Sequence, residues 1–73
     1  MNKYINMFLD ALDDANLDNM SDTQNENYNR ICDIVAMIMN GTYSDVEIEE
    51  LVELSKTISP KLYKKALILD NVL

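Results

Sequence analysis

The apolar residues of Tyr28–Met39 recur with the period of an α-helix. Four of them share the i, i+3, i+4, i+7 spacing of one helix face: Ile31, Ile34, Val35 and Ile38. Other positions of this stretch, including Cys32 and Met39, are also apolar or small. A helix that is apolar nearly all round is usually buried on several sides. The pattern therefore predicts a central helix, with Cys32 buried, onto which the rest of the chain packs.

Start and stop signals around this stretch divide the chain into four short helices. Three residue pairs match the capping box that begins a helix: Ser21 with Gln24, Thr23 with Glu26, and Ser44 with Glu47. Gly41 suits the left-handed conformation that ends a helix. Ser59 followed by Pro60 suits a first helical turn. The sequence thus predicts an all-α compact bundle in one domain over residues 1–73, with helices at approximately 3–16, 22–40, 45–58 and 60–72.

The charge is strongly negative and unevenly distributed. The 73 residues include 13 acidic and 6 basic side chains, for a net charge of −7. The basic residues concentrate after residue 53, where Asp70 is the only acid. An acidic body repels phosphate, so nucleic-acid binding is disfavoured, whereas docking on a basic protein surface is favoured.

Two groups of carboxylates are therefore candidate partner-binding surfaces. They are Asp10, Asp13, Asp14, Asp18 and Asp22 near the first helix, and Glu47, Glu49, Glu50 and Glu53 on the third. Carboxylates spaced along helices can imitate DNA phosphates and occupy a nucleic-acid-binding groove. The frequent Asn, Ile, Lys and Asp are typical of an AT-rich genome. We expect a small protein-binding module, such as a phage or mobile-element inhibitor of a host enzyme or defence complex. The alternative is that the acidic face only keeps the chain soluble.

Some apolar residues remain outside the inward stripes. Ile68 and Val72 lie one helical turn apart on helix four, beside its main apolar stripe. This spacing favours a face for self-association, and it predicts a possible homo-oligomer through helix four. The alternative is a wide core with scattered apolar residues at the surface.

The second half of the chain supports a different interpretation. The residues concerned are Glu47, Ile48, Leu51, the segment 54–59, Leu62, Ala66 and Leu67. They resemble a helix-turn-helix DNA-binding unit, with a Leu-Ser-x-Thr turn and a lysine-bearing second helix. The resemblance implies a small transcriptional regulator whose fourth helix contacts DNA. Glu49 and Glu53 occupy positions where that motif has a small residue and a glycine.

A third interpretation is a calcium-responsive helix-loop-helix module. Four oxygen-bearing residues match loop positions 1, 3, 5 and 9 of an EF-hand: Asp14, Asn16, Asp18 and Asp22. Position 12 is Asn25 rather than the bidentate glutamate, and position 6 is Asn19 rather than glycine. The pattern favours an acidic loop between two helices over a calcium site.

Catalysis has no support in the residue types. The chain has no histidine, and its single cysteine has no histidine to activate it. No glycine-rich phosphate loop or zinc-protease motif occurs. We therefore expect no enzymatic activity, no cofactor and no metal site. Without an apolar run of membrane-spanning length or a leader segment, we expect the protein in the cytoplasm of a bacterial host cell.

Overall fold

Four α-helices form the part of the chain that the computed structural model describes, which is residues 2–15 and 20–73. They are α1 (Asn2–Asp14), α2 (Asp22–Asn40), α3 (Asp45–Ile58) and α4 (Pro60–Val72). The prediction of a small all-α bundle is confirmed. α1 ends at Asp14, before Ala15, so it is shorter than the predicted 3–16, whose last residue, Asn16, lies outside the described residues.

Local hydrogen bonds fix where α2 begins and ends. The Ser21 side chain accepts the Gln24 N–H at 3.2 Å, and the Gln24 side-chain oxygen accepts the Ser21 N–H at 3.0 Å. The competing capping box at Thr23 does not begin the helix, because Thr23 already lies inside α2. At the other end, Gly41 takes a φ of 73°, and its N–H donates to the Ile38 carbonyl at 3.2 Å. Glycine adopts this left-handed conformation without steric penalty.

The later helices also begin at serines. The Glu47 carboxylate reaches back to accept the Ser44 N–H at 3.0 Å and the Ser44 hydroxyl at 2.9 Å. The Ser59 hydroxyl oxygen accepts the Leu62 N–H at 3.1 Å, with Pro60 in the first turn. Ser59 is the only residue between α3 and α4. These two helices therefore form a hairpin with almost no intervening loop.

The core is built from one face of each helix. Its buried apolar residues are Ile5, Phe8, Ala11, Leu12, Ile31, Ile34, Val35, Ile38, Ile48, Leu51, Leu62, Ala66 and Leu69. Among the described residues, Ser55 is the only buried polar one, and its hydroxyl donates to the Leu51 carbonyl at 2.7 Å. α4 packs against both α1 and α3, and α3 packs against α2 as well. Both α1 and α2 therefore pack onto the α3–α4 hairpin.

The prediction that α2 is the central helix is wrong. Its four isoleucine and valine residues are buried as expected, but Cys32 is exposed and Met39 is 64% exposed. Successive residues are rotated by about 100° around a helix, so Cys32 and Met39 point away from the buried residues next to them. Because α2 packs mainly on α3, only one face of α2 is covered. Leu67 on α4 is likewise 38% exposed, although it is a large apolar residue.

Two amide side chains fasten α2 to the end of α3. Gln24 Nε2 donates to the Thr57 carbonyl, and Asn27 Nδ2 donates to Thr57 Oγ1, each at 3.0 Å. The last carbonyls of a helix have no partner within it, so this contact satisfies one of them. The described residues have a Cα radius of gyration of 11.2 Å, close to the ~11 Å expected for a compact domain of this length. None of the described helices has the length and apolar composition needed to cross a bilayer.

Candidate protein-binding surface

Several of the predicted partner-binding carboxylates already have partners inside the protein. Glu50 receives two hydrogen bonds from the Arg30 guanidinium, at 2.8 and 3.0 Å, which link α2 to α3. Asp14 accepts a hydrogen bond from the Lys61 ammonium at 2.6 Å, and this salt bridge links α1 to α4. The Glu47 carboxylate accepts a hydrogen bond from the Ser44 N–H at the start of α3. These three acids stabilise a helix start or a contact between two helices. They are therefore less available to a partner than unpaired carboxylates.

The Arg30–Glu50 pair perturbs the titration of both groups. Hydrogen bonding to Arg30 lowers the pKa of Glu50 below its ordinary 4.5, and the same contact raises the pKa of Arg30. Both side chains remain more than a third exposed, at 42% for Arg30 and 36% for Glu50. Solvent screens such pairs strongly, so their contribution to folding is small.

We expect Glu50→Gln to lower the melting temperature by only a few degrees at neutral pH, because the variant loses this screened pair. A carboxylate whose folded pKa is depressed stabilises the protein above its unfolded pKa of about 4.5. That contribution disappears as the pH falls through the lowered folded value. Thermal melts from neutral to acidic pH should therefore show the two proteins converging in acid. A difference that grows below that pH would contradict the assignment.

The group of aspartates near α1 does not form one surface. Asp10, Asp13, Asp14 and Asp22 are all exposed, and Asp18 lies outside the described residues. Asp10 shares a groove with Lys61 and Lys65 of α4. Asp13 instead lies on the side of α2, close enough to Tyr28 and Cys32 to influence their titration. The lysines of α4 thus offset part of the negative charge of Asp10 and Asp14.

Cys32 is exposed but poorly suited to nucleophilic chemistry. Partial burial raises the pKa of its thiol, and the nearby Asp33 and Asp13 carboxylates raise it further. A thiol reacts as its thiolate, which this environment disfavours.

A groove between α3 and α4 brings three acids from the two helices together. It is lined by Glu49, Val52, Glu53 and Asp70 and encloses about 210 Å³. Glu49 and Glu53 lie one turn apart on α3, and Val52 between them is half-buried against the core. Within the described ranges, none of the three carboxylates forms a salt bridge. We call these four residues the acidic groove.

Sequence reasoning missed Asp70, which it counted as a lone acid in a basic segment. The structure brings it to Glu49 and Glu53 because α3 and α4 are antiparallel neighbours. Asp70 and Glu49 lie almost equally far along the chain from Ser59. In a hairpin with a single-residue connection, such positions fall at the same level. That relation was available in the sequence and could have identified the groove.

The helix-turn-helix interpretation can be compared with the connection between α3 and α4. A helix-turn-helix unit joins its helices by a turn of three to four residues, whereas Ser59 alone joins α3 to α4. Of the lysines that would face DNA, Lys61 is paired with Asp14, while Lys64 is exposed. The DNA-binding interpretation stays a prediction.

The calcium interpretation falls largely outside the described residues, because Asn16, Asp18 and Asn19 belong to the segment that is not described. Of its other members, Asp14 is paired with Lys61, and Asp22 is the first residue of α2. Across residues 2–15 and 20–73, no three His, Cys, Asp or Glu side chains are arranged to hold a metal ion.

The acidic groove is thus the surface on which unpaired charge and apolar area coincide, and it draws on two helices that the core holds together. Comparison of the chain with protein-family models, with curated proteins and with solved structures finds no match.

Proposed function

We propose that this chain is a small non-enzymatic module that binds a basic segment of another protein, and that the acidic groove is its principal contact surface. The observation that supports the proposal is the convergence of three carboxylates from two helices on one half-buried valine. Like charges at i, i+4 destabilise a helix by roughly 0.2–0.5 kcal/mol. Glu49 and Glu53 have this arrangement, with Asp70 added from α4. A bound cationic segment would remove that repulsion.

The chemistry of the groove suits lysine and arginine side chains. Their charged ends can pair with the carboxylates, and their aliphatic stems can lie against Val52. Complementary charge of this kind speeds association and selects partners more than it raises affinity. Because the groove is open to solvent, binding should weaken as ionic strength rises.

The more specific form of the proposal is an inhibitor of phage or mobile-element type. In this form the carboxylates take the place of nucleic-acid phosphates in a basic groove of a host enzyme or defence complex. Glu49 and Glu53 are separated by roughly 6 Å along the axis of α3, and both are exposed. The overall charge of −7 would steer the chain toward such a groove.

Affinity capture from a bacterial lysate with a matched pair of baits tests the proposal. The groove variant carries Glu49→Gln, Glu53→Gln and Asp70→Asn. The control variant carries Asp13→Asn, Glu26→Gln and Asp33→Asn, three exposed acids on α1 and α2. Both variants have the same net charge. We expect the wild type and the control to retain a protein that the groove variant loses, by about tenfold or more.

The result that would overturn the proposal is equal capture by the two variants, or no protein above background at low and moderate salt. Adding duplex DNA to the captured complex tests the inhibitor form separately. We expect DNA to displace the chain if the carboxylates occupy a phosphate-binding groove. If DNA leaves the complex intact, the chain still binds a protein, but its carboxylates do not occupy a phosphate-binding groove.

A further inference from the structure

The solvent-facing side of α4 has an apolar centre between ends of opposite charge. Leu67 and Ile68 are 38% and 37% exposed, and Val72 is 41% exposed. Lys64 lies on the N-terminal half of this face, whereas the neighbouring Lys61 is paired with Asp14 of α1. Asp70 lies on the C-terminal half, where Glu49 and Glu53 of α3 add further negative charge.

This arrangement is complementary to itself. In an isologous two-fold contact, residue i of one copy meets residue j of the other, and j meets i. An antiparallel pair of α4 helices centred between Leu67 and Ile68 brings these apolar residues together. It also sets Lys64 of each copy opposite Asn71 and beside Asp70 of the other. A parallel pair would instead place Lys64 against Lys64, which is repulsive.

We propose that a second copy of this chain covers the exposed face of α4, in an antiparallel two-fold dimer with Leu67 and Ile68 at its centre. The inference goes beyond the protein-binding function proposed above, because its apolar centre lies outside the acidic groove, and the two surfaces share only Asp70. Glu49 and Glu53, which α3 carries, take no part in the apolar seam. Val72 lies one turn beyond Ile68 and extends the seam toward the C-terminal end of the helix.

The size of the face sets the strength of the dimer. The 13 residues of α4 span roughly 20 Å. One helix face of that length is smaller than the ~800 Å² per partner of a standard stable interface. The dimer is therefore weak and forms at high micromolar concentrations. Association would also stabilise the fold, since chains near this length often depend on oligomerisation for stability.

Analytical ultracentrifugation of the full chain tests the dimer from about 20 µM to about 1 mM, the range in which weak dimers dissociate. We expect the average mass to rise from monomer toward dimer across this range. Ile68→Glu places two charges at the centre of the seam and should keep the protein monomeric throughout. Val46→Glu, at a residue 68% exposed at the start of α3, is the matched control and should dimerise like the wild type.

Charge reversal then tests the antiparallel arrangement. Lys64→Glu and Asp70→Lys, made singly, each turn an attractive contact into a repulsive one twice in the dimer, so each should weaken association by about tenfold. The double variant restores opposite charges and should recover wild-type association. The helical signal in circular dichroism serves as the check that each variant is folded. A monomer at every concentration, a dimer unaffected by Ile68→Glu, or a double variant as weak as the single variants would overturn the proposal.

Discussion

Replacing Phe8 with alanine should remove a large part of the stability of this protein. Phe8 is completely buried, on the face of α1 that packs against α4. Truncating a buried phenylalanine costs about 3–5 kcal/mol, because the ring loses its burial and leaves a cavity. A chain of 73 residues has a total stability of only about 4–11 kcal/mol. Urea unfolding followed by circular dichroism should show the midpoint falling sharply, with partial unfolding before denaturant is added.

Met39→Ala is the control, because Met39 is 64% exposed on α2. It should shift stability by no more than about 0.5 kcal/mol, as surface substitutions usually do. Equal effects of the two substitutions would mean that α1 is not packed onto the core as described.

Replacing Ser55 with leucine should have the next largest effect. Ser55 is completely buried in α3, and its hydroxyl is already satisfied by the Leu51 carbonyl. Because the core leaves no solvent access at this position, a larger side chain must displace its neighbours. Overpacking of this kind typically costs about 1–3 kcal/mol. Thermal and urea unfolding should both register the loss.

Ser55→Ala separates the effect of volume from that of the hydroxyl. It removes one hydrogen bond without adding bulk, and a typical net loss of this kind is about 1 kcal/mol. We therefore expect the alanine variant to lie between the wild type and the leucine variant. If leucine were tolerated as well as alanine, α3 would have free space around Ser55, contrary to its complete burial.

The sequence predicted the helix boundaries well because the determinants are local. Ser21, Ser44 and Ser59 each interact with groups three residues ahead, and the left-handed Gly41 closes α2 by itself. Such signals can be recognised without knowing the tertiary arrangement. The inward face of α2 was predictable for the same reason, since it depends only on helical spacing.

The width of the buried face was not predictable in this way. Cys32 and Met39 are apolar enough for a core, but they are exposed because α2 packs mainly against one neighbour. Apolar composition shows which residues tolerate burial, and the number of neighbouring helices determines which are covered. That number is a property of the whole bundle.

The candidate site was predictable only in part, again because of contacts between helices. Glu49 and Glu53 were identified from α3 alone. The sequence could not show that Arg30 neutralises Glu50, since that contact joins two helices. The addition of Asp70 could have been recognised from the single-residue connection at Ser59, which places it level with Glu49.

The one-residue connection at Ser59 has a consequence for the order in which the protein assembles. α3 and α4 can associate with almost no loop to close, so their pairing carries little entropic penalty. α1 packs against α4, the helix farthest from it along the chain. During synthesis, α1 therefore lacks its main packing partner until α4 has emerged from the ribosome. Until then Ile5, Phe8 and Leu12, which α1 buries in the folded protein, lack that partner, and we expect the aspartates on the opposite side of α1 to oppose aggregation of the nascent chain.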